Sequence, residues 1–420
     1  MVSIFRKLIV IHSALTLLVF LGSCSTRSEP EPSDGPWQAA IDTLGNTVSV
    51  RTLQGSVWGG VAELVETASI GAAQGPEYYL FGDVRGLTAD SEHIYVLDWQ
   101  VSMIRVYDHA GAFIRNIGRP GSGPGEFRDP IAIGVHEEGN RLFVRERAGG
   151  LVHAFVLAGE YLETIRVPLG GNYSALTKML RVSDEGDLYL FSTLFTPDSR
   201  TPDRVHSRYV MLGTHPDGAV FDTLNVPWYD YGVLQLQGTA LAPRITVPFS
   251  PNKYWNLSPS GAMIGGVSDS YTFEIRHADG RLLRIARQTP PVPVDPGESR
   301  WHYDTLTDRL RRTDPGWIWR GPSIPEHKPA FDAFIPDWSG RIWVVRRGPG
   351  VSPNGTQEWR DTCLLDVFEE QTGRYLGEVR VPPGLRFEPE PCIRDDLFIA
   401  YCQDREGVPY IRSFRIQLPD

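Results

Sequence analysis

From residue 70 onward the chain is built of short apolar runs broken by tight polar turns, a spacing that predicts β-strands rather than helices. Residues 84–130 show the unit in readable form: runs at 84–89, 94–98, 103–108 and 112–118, a turn at Gly111, and then the Gly-rich stretch GRPGSGPGEF. Four short strands joined by tight turns make one antiparallel sheet. Two signatures repeat along the chain. The first is a polar turn leading into an apolar strand: SEHIYVLD (Tyr95), EGNRLFVRE (Phe143), DEGDLYLFS (Tyr189), PSGAMIGG (Ile264), WSGRIWVV (Trp343) and RDDLFIAY (Phe398), six in all. The second is a Gly turn between two later strands, at Gly111, Gly159, Gly218, Gly280 and Gly373, only five times.

The missing sixth turn predicts how the protein closes. The last unit stops after its third strand, while VAELVETASIG near the start resembles a fourth strand lacking the three before it. Joined, the two ends complete one sheet and shut a ring, leaving no free edge between first and last units. The expected fold is therefore all-β: a six-bladed β-propeller with four antiparallel strands per blade, closed by an N-terminal strand, spanning 37–420 as one domain. The pattern of a Gly-rich loop, Phe, Pro, D-x-x-G-x-I-Y-V-x-D, I-x-V-Y-D-x-x-G-x-F and I-G resembles NHL-type propeller repeats, closely over 70–155 and only periodically after 173. The whole layout resembles exported bacterial six-bladed propeller proteins. Such a resemblance implies a fold, since propellers host unrelated activities.

Departures from the repeat localise the elaboration. The interval from signature hydrophobe to Gly turn is 16 residues in units one, two and four but 29 and 30 in units three and five, placing inserts near 196–206 and 348–359. Longer excursions run over 227–252 and 288–328. Antiparallel connectivity puts every one of these on the face that carries the two-to-three turns and the blade-to-blade connections. Function is expected there, on loops held by a rigid scaffold. The longest insert predicts a helix at 296–312, with Asp295 as cap, Pro296 in the first turn, Glu298 completing a capping box, and Tyr303, Leu306 and Leu310 as its apolar stripe.

Upstream of the ring, Arg6 and Lys7 precede an apolar run too short for a comfortable membrane span, followed by Leu21-Gly22-Ser23-Cys24. These four residues resemble the lipobox of bacterial lipoproteins, which implies signal cleavage after residue 23 and acylation of Cys24, with 24–36 as a solvated tether. Ser25 resembles lipoproteins sent to the outer membrane, so the expected location is the cell envelope, lipid-anchored and facing the periplasm. Removing 1–23 takes away two cations and no acid, shifting the formal charge from -10 to -12. A net acidic body repels phosphate backbones, which argues against nucleic acid as a partner.

Candidate chemistry is sparse. The loop 118–125 lacks the following helix and the Gly-Lys-Ser/Thr that a phosphate cradle needs, and reads as a blade connector. There is no G-x-S-x-G, H-E-x-x-H or paired C-x-x-C, and His93, His109, His136 and His277 fall in or beside turns. The first strands offer Arg85, Lys178, Asn256 and Asp332 as channel-facing groups, and two cations among four make a poor oxygen cage for Ca²⁺. No metal or other cofactor is expected. Aromatics cluster in the inserts; Tyr303, Trp317 and Trp319 are expected to pack the helix down, while Trp228, Trp255 and Trp359 with Arg346 are the expected ligand contacts. Cys363 and Cys402 both lie toward the elaborated face and could pair; free buried thiols are the alternative. The function expected is non-catalytic: a monomeric, membrane-tethered propeller binding a glycan, peptide or envelope protein on its elaborated face. The alternative is a metal-dependent hydrolase or lyase resembling the gluconolactonase-like propellers, with its site at the central channel.

Overall fold

The computed structural model describes residues 35–147, 150–167, 173–197, 205–227, 232–240, 242, 244–352 and 359–419. Three strands precede the first complete blade: β1 (Gln38–Leu44), β2 (Thr47–Gln54) and β3 (Val61–Ile70). Blade one is β4 (Val84–Ala89), β5 (His93–Asp98), β6 (Met103–Asp108) and β7 (Phe113–Ile117). Blade two is β8 (Pro130–His136), β9 (Arg141–Glu146), β10 (Leu151–Phe155) and β11 (Tyr161–Arg166). Blade three is β12 (Tyr173–Val182), β13 (Leu188–Pro197), β14 (Val205–Thr214) and β15 (Val220–Asn225). A two-stranded ribbon, β16 (Gln235–Gln237) and β17 (Arg244–Thr246), stands in the insert that follows. Blade four is β18 (Lys253–Leu257), β19 (Met263–Val267), β20 (Thr272–Arg276) and β21 (Leu282–Arg287). After the helix α1 (Pro296–Arg311), blade five is β22 (Ala333–Pro336), β23 (Arg341–Val351), β24 (Arg360–Glu369) and β25 (Tyr375–Arg380). Blade six is β26 (Cys392–Arg394), β27 (Leu397–Gln403) and β28 (Pro409–Gln417), with β3 as its fourth strand.

The protein is thus a six-bladed β-propeller closed by its N-terminal strand. β3 runs antiparallel to β28 from Ile70 to Glu63, and its first three residues also pair in parallel with Glu378–Arg380 of β25, so one strand ties blade six to blade five. Residues 37–60 carry neither repeat signature. The alternation Val48, Val50, Thr52 nonetheless makes β2 a strand, which adds in parallel to β21 and extends blade four outward through β1.

The signature hydrophobes are explained by what lies on each side of a second strand. Ile94 and Val96 pack toward blade six while Tyr95 and Leu97 pack toward blade two. Leu188 and Leu190 likewise face blade two, and Tyr189 and Phe191 face blade four. A strand covered on both faces reads as a continuous apolar run rather than an alternating one. Each blade-to-blade interface has its own apolar cluster, and the five-to-six cluster contains Ala62 and Leu64 from β3. Fully burying a Val, Leu, Ile or Phe side chain is worth about 1.5–3 kcal/mol, so these interfaces hold the ring together.

Helix α1 starts as predicted, with the Asp295 carboxylate accepting from the amide of Gly297 at 2.7 Å. The predicted capping box is not made, because Glu298 turns inward and is buried. Leu306, Leu310 and Trp317 pack on Leu236 of the ribbon and Val247, and the Trp317 indole donates to the carbonyl of Gln237 at 3.0 Å. Tyr303 stacks on Trp319 at 4.9 Å but stays 40% exposed. The proposed Cys363–Cys402 bridge is corrected: both thiols and that of Cys392 are free, Cys402 being packed inside the apolar cluster between blades five and six. No helix among the described residues is long and apolar enough to cross a membrane.

Candidate functional site

The six first strands line a central channel, with Leu87, Ile133, Leu180, Leu257, Pro336 and Ile393 among its walls. On the elaborated face the channel opens into a cavity of about 830 Å³ bounded by blades one, two, three and six. What furnishes this mouth follows from how each blade is entered.

In blade one, Asp98 ends β5 fully buried, and its carboxylate accepts from the amides of Gly82, Asp83 and Gln100, each at 3.2 Å. The Arg105 guanidinium lies 3.5 Å from Asp98 and donates to the Leu80 carbonyl at 2.6 Å. The segment entering β4 is therefore fixed, and it delivers Asp83 and Arg85 to the cavity. Blade two repeats the arrangement with Glu146, which accepts from the amides of Arg128 at 3.0 Å and Asp129 at 2.8 Å. Asp129 then accepts from Arg147 Nε at 2.6 Å, the Trp99 indole at 2.6 Å and Arg85 Nη1 at 3.4 Å. Burial alone would raise the Asp129 pKa, but the bonds from Arg147 and Trp99 and the two guanidinium charges hold it below the usual carboxylate range. Arg85 lies 3.7 Å over the Trp99 ring and donates to Asp83 at 2.9 Å, so its guanidinium is stacked and paired at once.

The cavity floor is polar. Arg181 reaches across the channel to both oxygens of Glu390, at 2.8 and 2.6 Å, and to Asn256 Oδ1 at 2.8 Å. Asn256 in turn donates to Glu390 at 3.0 Å and to the Phe334 carbonyl at 2.7 Å. Blades three, four and five and the segment entering blade six are thereby cross-linked at one level, closing the mouth below. A ligand entering from the elaborated face meets guanidinium donors, carboxylate acceptors and the aliphatic side chains of Leu87, Ile133 and Leu180 together.

Of the channel-facing groups expected from sequence, Arg85 lines the mouth and Asn256 lies in its floor. Asp332 is instead turned aside to Arg347 and to the Tyr254 hydroxyl at 3.3 Å, and the side chain of Lys178 lies outside the described residues. Neither Arg181 nor Glu390 is marked by the repeat pattern. A register shift between Ala175 and Leu180 changes the phase of β12, so that Arg181 reaches the channel, and Glu390 lies in an irregular segment with no periodicity to read.

The expected ligand contacts are dispersed. Trp255 packs between blades three and four, its ring 5.0 Å from that of Phe191. Arg346 is only 8% exposed and sits between blades four and five, donating to Asp366 at 3.3 Å and to Glu378 at 3.4 Å. Asp366 also accepts from Tyr271 at 2.6 Å, Arg287 at 2.7 Å and Tyr375 at 3.0 Å, and although burial raises its pKa the two arginines and two hydroxyls bring it below the ordinary value. Trp359 is half-buried against the first turn of α1, where a Cβ on Gly297 would come within 2.9 Å of its ring. Trp228 and Cys24 lie outside the described residues.

A second polar cluster anchors α1 to blade five. Lys328 Nζ, fully buried, donates to Glu298 Oε1 at 2.8 Å, to Asp361 Oδ1 at 2.5 Å and to the Gly348 carbonyl at 3.1 Å. Arg347 joins Asp361, at 2.8 Å, to Asp332. Among the described residues no three His, Cys, Asp or Glu side chains converge as metal ligands, and the groups that do converge at the mouth include three arginines, a set that does not fit the metal-dependent alternative.

Residues 74–209 match a family described as a 6-bladed beta-propeller, DUF5128. No curated protein matches the sequence. Solved structures similar to this chain include a candidate exported protein of Bacteroides fragilis, at 13% identity and a TM-score of 0.45, over 89% of this chain and 100% of that one. A member of the duf4221 family from Bacteroides vulgatus is similar at 12% identity and a TM-score of 0.49, over 86% and 99%. Virginiamycin B lyase from Staphylococcus aureus is similar at 9% identity and a TM-score of 0.36, over 79% and 94%.

Proposed function

We infer that this protein is an extracytoplasmic binding propeller, tethered through an acylated Cys24 and the spacer 25–36 to the envelope membrane, the outer membrane being the destination that Ser25 suggests. It holds its ligand at the channel mouth on the elaborated face and performs no chemistry on it. The observation that carries this reading is the cavity of about 830 Å³, within the size range of small-ligand pockets, furnished with convergent polar groups and closed beneath by the Arg181–Glu390–Asn256 bridge. Trp255 and Arg346 support the site as scaffold, stiffening the interfaces between blades three, four and five, and Trp359 packs against the first turn of α1.

Amide hydrogen exchange on the mature protein, with and without the small molecules that co-purify with it, tests the assignment. Protection is expected at 82–87 and 387–390, and Arg147→Gln should weaken it while lowering the melting temperature of the free protein by no more than an exposed ion pair contributes. Protection confined to the inserts around Trp359, with the mouth unaffected, would overturn it.

A further inference from the structure

Resting on the assignment of the channel mouth as the binding site, we propose that its ligand is a short peptide with free termini. Among the described residues, the cavity lining carries three guanidinium groups, Arg85, Arg147 and Arg181, and three carboxylates, Asp83, Glu388 and Glu390. A lining so balanced gives no net attraction for a simple anion or cation, yet offers fixed partners of both signs. A molecule of zero net charge that carries an ammonium at one end and a carboxylate at the other matches it.

The unused valences of these groups point the same way. Arg147 is held to Asp129 through Nε, and among the described residues its two terminal nitrogens have no partner; neither has Nη1 of Arg181. A guanidinium fixed by its inner nitrogen and open at its outer ones is set to receive a carboxylate bidentately. On the blade-one side, Asp83 takes both bonds from Arg85 on Oδ2, and its Oδ1 has no partner among the described residues, leaving an acceptor for an ammonium. Leu87, Ile133 and Leu180 lie among these groups and can cover apolar side chains. A neutral sugar offers hydroxyls but no charge to the open nitrogens of Arg147 and to Asp83 Oδ1, and so forgoes the charge-assisted bonds that a peptide's two ends can make.

Calorimetric titration of the full mature protein with trileucine, trileucine amide, N-acetyltrileucine and maltotriose tests the proposal. Trileucine should bind, and each capped form should bind at least about tenfold more weakly, the loss of one charge-assisted contact. Arg147→Gln should erase the distinction between acid and amide while keeping the penalty for acetylation; Asp83→Asn should do the reverse. Equal affinity of free and capped peptides, or no heat with any peptide, overturns the peptide assignment. Binding of maltotriose instead, lost in Arg147→Gln, overturns it too but leaves the mouth as the site. Trileucine binding with full discrimination in both variants overturns the site itself.

Discussion

Replacing Lys328 by Met removes a charge from an ion cluster buried under α1 while nearly keeping volume. Three hydrogen bonds from Nζ disappear, and the carboxylate of Glu298, almost wholly inaccessible, is left without its cation; Asp361 keeps only Arg347. Removing one partner of a buried pair costs about 3–5 kcal/mol, since the survivor remains desolvated. Glu298 can soften that cost by taking a proton, because burial, reinforced by the neighbouring Asp361, already pushes its pKa up against the pull of Lys328. Its raised folded pKa means that the ionised form is disfavoured in the folded state, so its contribution to stability is best below the unfolded pKa and declines as pH rises toward the folded one. Loss of Lys328 raises that folded pKa further and widens the window. Asp361 has the opposite sign in the wild type: burial raises its pKa, but Lys328 and Arg347 hold it below the ordinary value, and that benefit also depends on the lysine. Urea melts at pH 5 and pH 8 should therefore show Lys328→Met less stable by about 3–5 kcal/mol at the higher pH and by clearly less at the lower. Adding Glu298→Gln should recover part of the loss. A deficit under about 1 kcal/mol, or one independent of pH, would refute the view that this cluster holds α1 to blade five.

Asp98→Ala should cost about 3–5 kcal/mol in the same melts, because it strands the nearly inaccessible Arg105 beside unmet amides of Gly82 and Asp83, and it should abolish ligand-induced protection at the mouth. Deleting 35–60 should leave a monomeric folded ring by size exclusion and circular dichroism, whereas deleting through residue 70 should not, since β3 supplies Ala62, Leu64 and Ile70 to the cores on either side of blade six. Cys392 and Cys402 should react with a thiol reagent only after unfolding: burial pushes their pKa values up to about 11 and 12, and rapid native labelling at either would contradict the packing.

Much of the ring was legible because a blade-covered strand has no choice but to be apolar on both faces. All six signature hydrophobes fall on second strands, and the lone fourth strand at 61–70 closes blade six. The site was less legible, and Arg346 shows why. Next to a predicted insert it reads as a loop cation, but β23 continues to Val351, so the residue lies mid-strand between two blades and is committed to Asp366. Tryptophans mislead similarly: Trp255 is large and lies beside an insert, yet an interface between blades takes it up. Arg181 was hidden by a single register shift, since period-two reasoning fails by one residue wherever a strand bulges.

The latches at the ends of the second strands suggest how a propeller can change its ligand without risking its fold. Four blades tie the segment entering the first strand to a residue at the end of the second, Asp98 to Gly82 and Asp83, Glu146 to Arg128 and Asp129, Ser268 to Asn252, and Gln403 to Gly384, and in blade five Arg347, within β23, binds the entering Asp332. The contact is the same in place but different in chemistry. Where it is an acid gripping backbone amides, in blades one and two, the entering side chains are freed to project into the channel mouth, which is where Asp83, Arg85 and Arg147 gather. In blade five a guanidinium takes the role and consumes the entering Asp332, so that blade contributes a clamp for α1 rather than a wall of the cavity. The latch residues of blades one, two, four and six lie at strand ends, and none belongs to the apolar clusters that join the blades. Substituting the side chains that the latches free, with the buried latch residues kept, alters what the mouth presents while the interblade packing, which carries most of the stability, is left as it was.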